Sequence, residues 1–336
     1  MKVSELGEFG LVDMLAKIVA ASRNDSSVAW QRLILGIGDD CAAWQGDASV
    51  QIAHVDSVFE NVHFTLDTTP WKDLGWKALA VTMSGVAAMG GVPTYALVSL
   101  TLTGDTQVED VAAMYKGMTE LSQRFGVAII GGDTSDASVV SVTVTVLGNT
   151  GKRSRRYMMT RSAARTGDKI AVTGYPGAAA SGFRMLTGRL KFSPEAASYL
   201  SNAFLRPTPR IAEGRILVEN GVKCAIDISD GLVSDLGHVC RSSGVGAKID
   251  VGLLPVHPLV RGNFGDRSAE LALSGGEDYE LLFTAGAELM SKIQDKVSVP
   301  VTVVGEIIAD NTGKVVLVKN GSPFSLPKPG WEHFKQ

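Results

Sequence analysis

Apolar residues along the chain recur with two different periods. Leu11, Met14, Leu15, Ile18 and Val19 stand three and four apart, which predicts an amphipathic helix over 11–22. Thr69-Pro70 supplies an N-cap residue and a first-turn proline for a helix over 71–89, stopped by Gly90-Gly91 and Pro93. Thr106-x-x-Glu109 has the form of a capping box. The helix behind it carries Val108, Val111, Ala112, Tyr115, Met118 and Leu121 on one side, as far as Gly126. Strands are predicted over 50–55, 95–102 and 127–130. Over 139–147 the period is two: Val140, Val142, Val144 and Val146 point one way and Ser141, Thr143 and Thr145 the other, as in a half-buried strand.

A basic stretch then interrupts the pattern. Residues 151–165 hold Lys152, Arg153, Arg155, Arg156, Arg161 and Arg165, and the domain boundary is placed here, giving domains 1–150 and 151–336. Beyond it strands and helices alternate. Strands are predicted over 169–173, 224–228, 248–251, 279–284, 301–306 and 315–319, with helices over 178–189, 194–204, 209–219 and 232–241.

Composition narrows the class. A chain of 336 residues is long enough for two domains, and 45% hydrophobic with 20% charged residues is ordinary for a globular protein. The net charge of −3 argues against a nucleic-acid or anionic-membrane surface. Cys41, Cys224 and Cys240 are odd in number and form no CxxC pair, so neither a disulfide framework nor a zinc site is indicated, and a reducing cytoplasm is expected. Glu5, Glu8 and Asp13 break any secretory h-region, and no apolar run reaches transmembrane length.

The candidate chemistry lies in turns that pair aspartate with glycine. In Leu35-Gly36-Ile37-Gly38-Asp39-Asp40-Cys41-Ala42 two adjacent carboxylates repel each other, and taken alone this is either a solvated acidic turn or a cation site. Similar turns recur at His54-Val55-Asp56, Gly131-Gly132-Asp133-Thr134, Asp227-Ile228-Ser229-Asp230-Gly231 and Gly275-Gly276-Glu277-Asp278. The chain has no GxxxxGK[ST], no third glycine after Gly36-Ile37-Gly38, no HRD or DFG element, no GxSxG and no HExxH. Carboxylates from distant segments share a site only when cations neutralise them, and divalent ions on a triphosphate would do so.

In this combination the chain resembles the thiamine-monophosphate kinase family, of the superfamily that includes aminoimidazole ribonucleotide synthetase and selenophosphate synthetase. The resemblance rests on Gly36-Ile37-Gly38-Asp39-Asp40, Asn61-Val62-His63-Phe64, Lys77-Ala78-Leu79-Ala80-Val81, Ala87-Ala88-Met89-Gly90, Gly131-Gly132-Asp133-Thr134, Asp227-Ile228-Ser229-Asp230-Gly231-Leu232 and Ser274-Gly275-Gly276-Glu277-Asp278-Tyr279-Glu280-Leu281. It implies an α+β chain of two α/β domains of the aminoimidazole ribonucleotide synthetase-like type. The N-terminal domain would build an intersubunit β-barrel in a homodimer. It further implies direct in-line transfer from ATP to thiamine monophosphate with Mg²⁺ and without a protein nucleophile or base. Asp40, Asp56, Asp133, Asp227 and Asp230 match metal ligands. Gly132, Asp133, Arg161 and Ser229 match the ATP side, and His63, Glu277 and Trp331 the thiamine phosphate side.

One departure bears on the chemistry. Where the family's helix over 71–89 carries Asn-x-Ser-Asp, this chain reads Thr82-Met83-Ser84-Gly85, and His54-Val55 replaces the frequent Ser-Thr before Asp56. The missing aspartate is a bridging ligand in the family, so Gly85→Asp is expected to strengthen metal-dependent nucleotide binding, unless Gly85 makes room for a neighbouring side chain. Two alternatives stand beside the kinase reading: a paralogue that binds nucleotide with weak or no kinase activity, and a superfamily kinase for another small molecule.

Overall fold

The computed structural model describes residues 1–37, 42–152 and 157–331. The chain divides into two compact units, one of Met1–Val86 with Val92–Arg153 and one of Ala87–Gly91 with Ser154–Gln336.

The first unit opens with α1 (Val3–Ala21) and α2 (Val28–Arg32), followed by a short antiparallel pair, β1 (Leu33–Leu35) and β2 (Ala43–Trp44). Then come β3 (Gln51–Phe59), α3 (Trp71–Ala88), β4 (Val92–Leu102), α4 (Val108–Phe125), β5 (Ala128–Asp136) and β6 (Ser141–Asn149). Helix α1 starts about two turns before the apolar repeat does. The Lys2 N–H donates to the Glu5 carboxylate at 2.9 Å and closes a first turn that hydrophobic spacing cannot reveal. Helix α4 starts one residue beyond the capping box, with Gln107 at the N-cap, because the Thr106 hydroxyl is paired with that of Thr103 at 2.9 Å. The Thr69 hydroxyl is buried without a hydrogen-bond partner among the described residues, so it does not cap α3. The Pro70 carbonyl opens that helix by accepting from Asp73 and Leu74 N–H, both at 2.9 Å.

Four strands form a sheet in the order β3-β6-β4-β5, antiparallel except for β4 with β5, which α4 connects. The expected alternation in β6 is present: Val142, Val144 and Val146 are fully buried, while Thr143 on the other face meets the Ser57 hydroxyl at 2.8 Å. Helices α3 and α4 approach backbone to backbone, because each places a glycine in the contact. A Cβ on Gly75 would lie 1.8 Å from the Met114 carbonyl oxygen, and one on Gly117 would lie 1.8 Å from that of Lys72. Between Ala96 and Leu97 the β4–β5 register slips by one residue, opposite Ile130, so a bulge immediately precedes Gly131-Gly132-Asp133.

The second unit contains β7 (Lys169–Thr173), α5 (Ala178–Thr187), α6 (Pro194–Leu205), α7 (Ile211–Glu219), β8 (Cys224–Asp227), α8 (Leu232–Ser243) and β9 (Gly246–Asp250). It continues with α9 (Pro258–Phe264), α10 (Arg267–Ser274), β10 (Leu281–Ala285), α11 (Ala287–Gln294), β11 (Val301–Ile308), β12 (Val315–Lys319) and β13 (Ser322–Pro323). Its seven-stranded sheet runs β13-β12-β9-β11-β7-β10-β8, parallel only between β12 and β9. Ile170, Val172, Ile226, Leu236, Val239, Ile249 and Leu282 form its core, none more than 2% exposed. Strand β8 lies at one edge of this sheet, and its C-terminal end delivers one of the aspartate turns.

Candidate active site

In the second unit, Asp227 ends β8 and the turn Ile228-Ser229-Asp230-Gly231 leads into α8. A buried carboxylate shapes this turn. Asp235, in the first turn of α8 and 2% exposed, accepts the N–H groups of Ser229 (3.0 Å), Asp230 (3.1 Å) and Gly231 (3.1 Å). Burial pushes the Asp235 carboxyl up to about 7, with the Asp227 and Asp230 carboxylates adding to the shift and the backbone donors opposing it. Sequence reasoning passed over Asp235. Its only signal is an acid four residues beyond a glycine at a helix start, where free N–H groups point.

The segment before β10 lies alongside this turn. Ile228 N–H donates to the Glu280 carbonyl at 2.8 Å, Tyr279 N–H to that of Ile228 at 2.8 Å, and Glu277 N–H to that of Ser229 at 2.7 Å. So tight a pairing requires Gly276, whose Cβ would come within 2.6 Å of the Ser229 carbonyl oxygen. It also holds Glu277 and Tyr279 at φ of +63° and +51°, a backbone cost that clusters at functional sites. Glu280 anchors the segment from behind: it is 7% exposed, takes the Thr173 hydroxyl at 2.6 Å, and meets the Arg210 guanidinium in a two-point pair. Asp278 accepts Gly177 and Ala179 N–H at the N-terminus of α5. Trp331, 55% exposed, is tied in by its own N–H to the Asp230 carbonyl at 2.9 Å. The second unit therefore gathers Asp227, Ser229, Asp230, Glu277 and Trp331. Arg161 is not among them. Its carbonyl accepts the Ser243 hydroxyl at 2.9 Å, at the far end of α8, a helix of twelve residues and so about 18 Å long.

In the first unit, Asp56 lies on β3 and Asp133 on β5, the two edges of the sheet. The register runs Asp56–Val144–Val98–Gly132, while Asp133 is level with Ser99, Thr143 and Ser57. The two carboxylates thus sit on opposite faces and at opposite edges, three strand spacings or about 14 Å apart. Gly132 is forced by close approach, since its Cβ would lie 1.8 Å from the Val98 carbonyl oxygen. His63 stands beyond the end of β3, its Nδ1 accepting the Phe59 N–H at 3.1 Å. Asp40 lies outside the described residues.

Position 85 corrects the expectation for Gly85→Asp. A Cβ there would lie 2.6, 2.7 and 2.8 Å from Nδ1, Cε1 and Cγ of His54. The imidazole of β3 already fills the space a side chain on α3 would need, so an added carboxylate clashes instead of joining a metal shell.

The donor set suits a hard cation. Asp227 is 8% exposed and pairs with no Lys or Arg among the described residues, and Asp230, Asp235 and His238 each offer an atom within 4.8 Å of the others. Clustered carboxylate oxygens are the ligand chemistry of Mg²⁺.

Comparison with known proteins agrees with this picture. The AIR synthase related protein family matches twice, its N-terminal domain over residues 38–150 and its C-terminal domain over 165–318. Thiamine-monophosphate kinase of Salmonella typhimurium is 39% identical over 337 residues, 98% of each chain, and that of Bacillus subtilis is 35% identical over 96% of this chain and 99% of its own. The crystal structure of thiamine-monophosphate kinase from Stenotrophomonas maltophilia superposes with a TM-score of 0.80 at 31% identity, covering 93% of this chain and 97% of that one. AaThiL complexed with AMPPCP and TMP superposes with a TM-score of 0.76 at 29% identity over 99% of both chains.

Proposed function

The chain belongs to the thiamine-monophosphate kinase family within the AIR synthase related proteins, and from that premise we propose that it phosphorylates thiamine monophosphate to thiamine diphosphate with ATP. The observation that carries this reading is the hydrogen-bonded pairing of the Glu277 segment with the Asp227–Asp230 turn: it supports a shared site for the residues that the resemblance assigns to substrate (Glu277) and to metal (Asp227, Asp230).

The acceptor is a phosphate monoester, largely ionised at pH 7. No side chain has to remove its proton, so acids and backbone donors suffice for the transfer proposed here. Glu277 and the exposed face of Trp331 suit the cationic thiazolium, by charge and by cation–π contact, and His63 is assigned to the same substrate. The Gly132 and Ser229 backbones are assigned to the nucleotide phosphates, whereas Arg161, at the far end of α8 from Ser229, would meet the nucleotide away from them. Asp40, Asp56, Asp133, Asp227 and Asp230 would hold Mg²⁺ ions, with Asp56 and Asp133 on different ions because they lie on opposite faces of the sheet; bound Mg²⁺ would neutralise triphosphate charge and polarise the transferred phosphoryl group.

We further propose a homodimer. Among the described residues no further strand pairs with either edge of the sheet, and one face exposes Val55 and Phe59 beside a row of hydroxyls; a second copy would cover both. Light scattering at micromolar concentration should give twice the chain mass. A cytoplasmic location is supported by the free buried thiols of Cys224 and Cys240, and none of the described helices is long and apolar enough to cross a membrane.

The decisive assay supplies purified protein with Mg-ATP and thiamine monophosphate and measures thiamine diphosphate directly. Its formation is expected. ATP binding with no thiamine diphosphate would leave a nucleotide-binding paralogue instead.

A further inference from the structure

His54 and Gly85 form a built contact that the family assignment does not explain. The imidazole Nδ1 lies 3.0 Å from the Thr82 carbonyl oxygen of α3. A carbonyl only accepts, so Nδ1 carries the proton and Nε2 of the neutral ring presents a lone pair. The ring can reach that carbonyl because residue 85 has no Cβ: any side chain there would intrude within 2.6 Å of the ring. Imidazoles that ligate metals are characteristically held this way, by an N–H donated from the opposite ring nitrogen to a carbonyl or carboxylate. Asp56 is two residues along the same strand, so its carboxylate shares the face of β3 that carries His54, and both residues are half-buried.

We propose that His54 Nε2 and the Asp56 carboxylate form a mixed nitrogen–oxygen site for a divalent cation, which makes this chain better suited to Mn²⁺ than an all-oxygen site would be. Mg²⁺ demands oxygen ligands and keeps its waters, whereas first-row transition ions accept imidazole nitrogen. Gly85 is then the residue that admits the nitrogen donor. The inference rests on the proposed kinase reading only for the identity of the nucleotide that accompanies the ion.

The test uses the full-length protein labelled with ¹⁵N-histidine, loaded with Mn²⁺ and AMPPCP, and examined by pulsed electron paramagnetic resonance. A ¹⁵N coupling of a directly bound imidazole is expected, lost in His54→Ala, together with a fall in Mn²⁺ affinity of about tenfold and little change in Mg²⁺ affinity. Should removal of the ring loosen α3, His54→Ala/Gly85→Ala refills the vacated space and must still lack the coupling. Absence of the coupling in the unsubstituted protein, or its persistence in either variant, would reduce His54 to a tether between β3 and α3. The kinase reading is scored separately. Thiamine diphosphate formed with Mg-ATP but no ¹⁵N coupling overturns the His54 site alone, and coupling without thiamine diphosphate overturns the kinase reading alone.

Discussion

Asp235→Ala should destabilise the second unit and loosen the Ser229–Gly231 turn specifically. The substitution removes the acceptor of three backbone N–H groups at 3.0–3.1 Å. Gly231 is buried, so its N–H is left without water, an orphaned donor worth about 1–3 kcal/mol. Ser229 and Asp230 are half-buried and solvent can partly replace their lost acceptor, leaving about 0.5–1 kcal/mol each. Losing an acid at the start of α8 removes a further ~0.5 kcal/mol of helix-terminus attraction. Against these stands relief of a buried carboxyl pushed up by burial and by Asp227 and Asp230, about 1–2 kcal/mol in the other direction at pH 5, where the group is protonated in the fold. The net expectation at pH 5 is a loss of about 1–3 kcal/mol. Urea unfolding reads the size, and hydrogen exchange reads the place: the amides of Ser229, Asp230 and Gly231 should lose protection while those of β9 and β11 keep theirs. An unfolding midpoint and amide protection both unchanged from the unsubstituted protein would refute the view that Asp235 holds the turn.

Gly85→Asp should lower stability by about 1–3 kcal/mol through overpacking against the His54 ring, and His54→Ala/Gly85→Asp should recover most of it; calorimetric melting of both variants checks the pair. Arg210→Ala strands Glu280 as a buried unpaired carboxylate and should cost about 3–5 kcal/mol, read as a lower urea midpoint for the second unit. Asp278→Asn should flatten the pH dependence of stability. Burial pushes the Asp278 carboxyl up to about 8, against the pull of the Gly177 and Ala179 N–H groups, whereas the unfolded value is about 4. The folded state therefore holds a proton that the unfolded chain lacks, a contribution complete below about pH 4 and lost as pH rises through 8. Parallel stability profiles for the two proteins between pH 5 and 8 would contradict this.

Much of the fold was legible because it rests on local pattern. The valines of β6 face the core as their alternation requires, and α4 ends at Gly126 in a left-handed turn with φ of +70°. What stayed hidden depends on partners far along the chain. Short helices such as α9 and α11, at seven and eight residues, carry too few turns to show a period. The Thr106 box failed because a hydroxyl three residues upstream took its threonine. In the site, motifs named candidate residues for the chemistry, but the residues that hold the turn in place could not be named from them. Asp235 acts through backbone N–H groups, and nothing about a lone acid on a helix marks it until the turn in front of it is seen.

The same distinction decides how position 85 is understood. From sequence, a glycine inside a helix is a deficit: it costs α3 roughly 1 kcal/mol relative to alanine and stands where the resemblance implies a carboxylate. In the structure the deficit is occupied. A hydrogen bond from His54 to the Thr82 carbonyl contributes about 1 kcal/mol, which offsets the helix penalty, and it exists only because the Cβ is absent. Two substitutions that look like independent losses are therefore one coupled arrangement, 31 positions apart in the chain and in contact in the fold. Coupling of this kind is measurable. In a double-mutant cycle on His54 and Gly85, the cost of Gly85→Ala should largely vanish once His54 is alanine, giving an interaction of about 1–2 kcal/mol. Additive effects would mean that the ring moves aside freely, and that the contact at residue 85 constrains nothing.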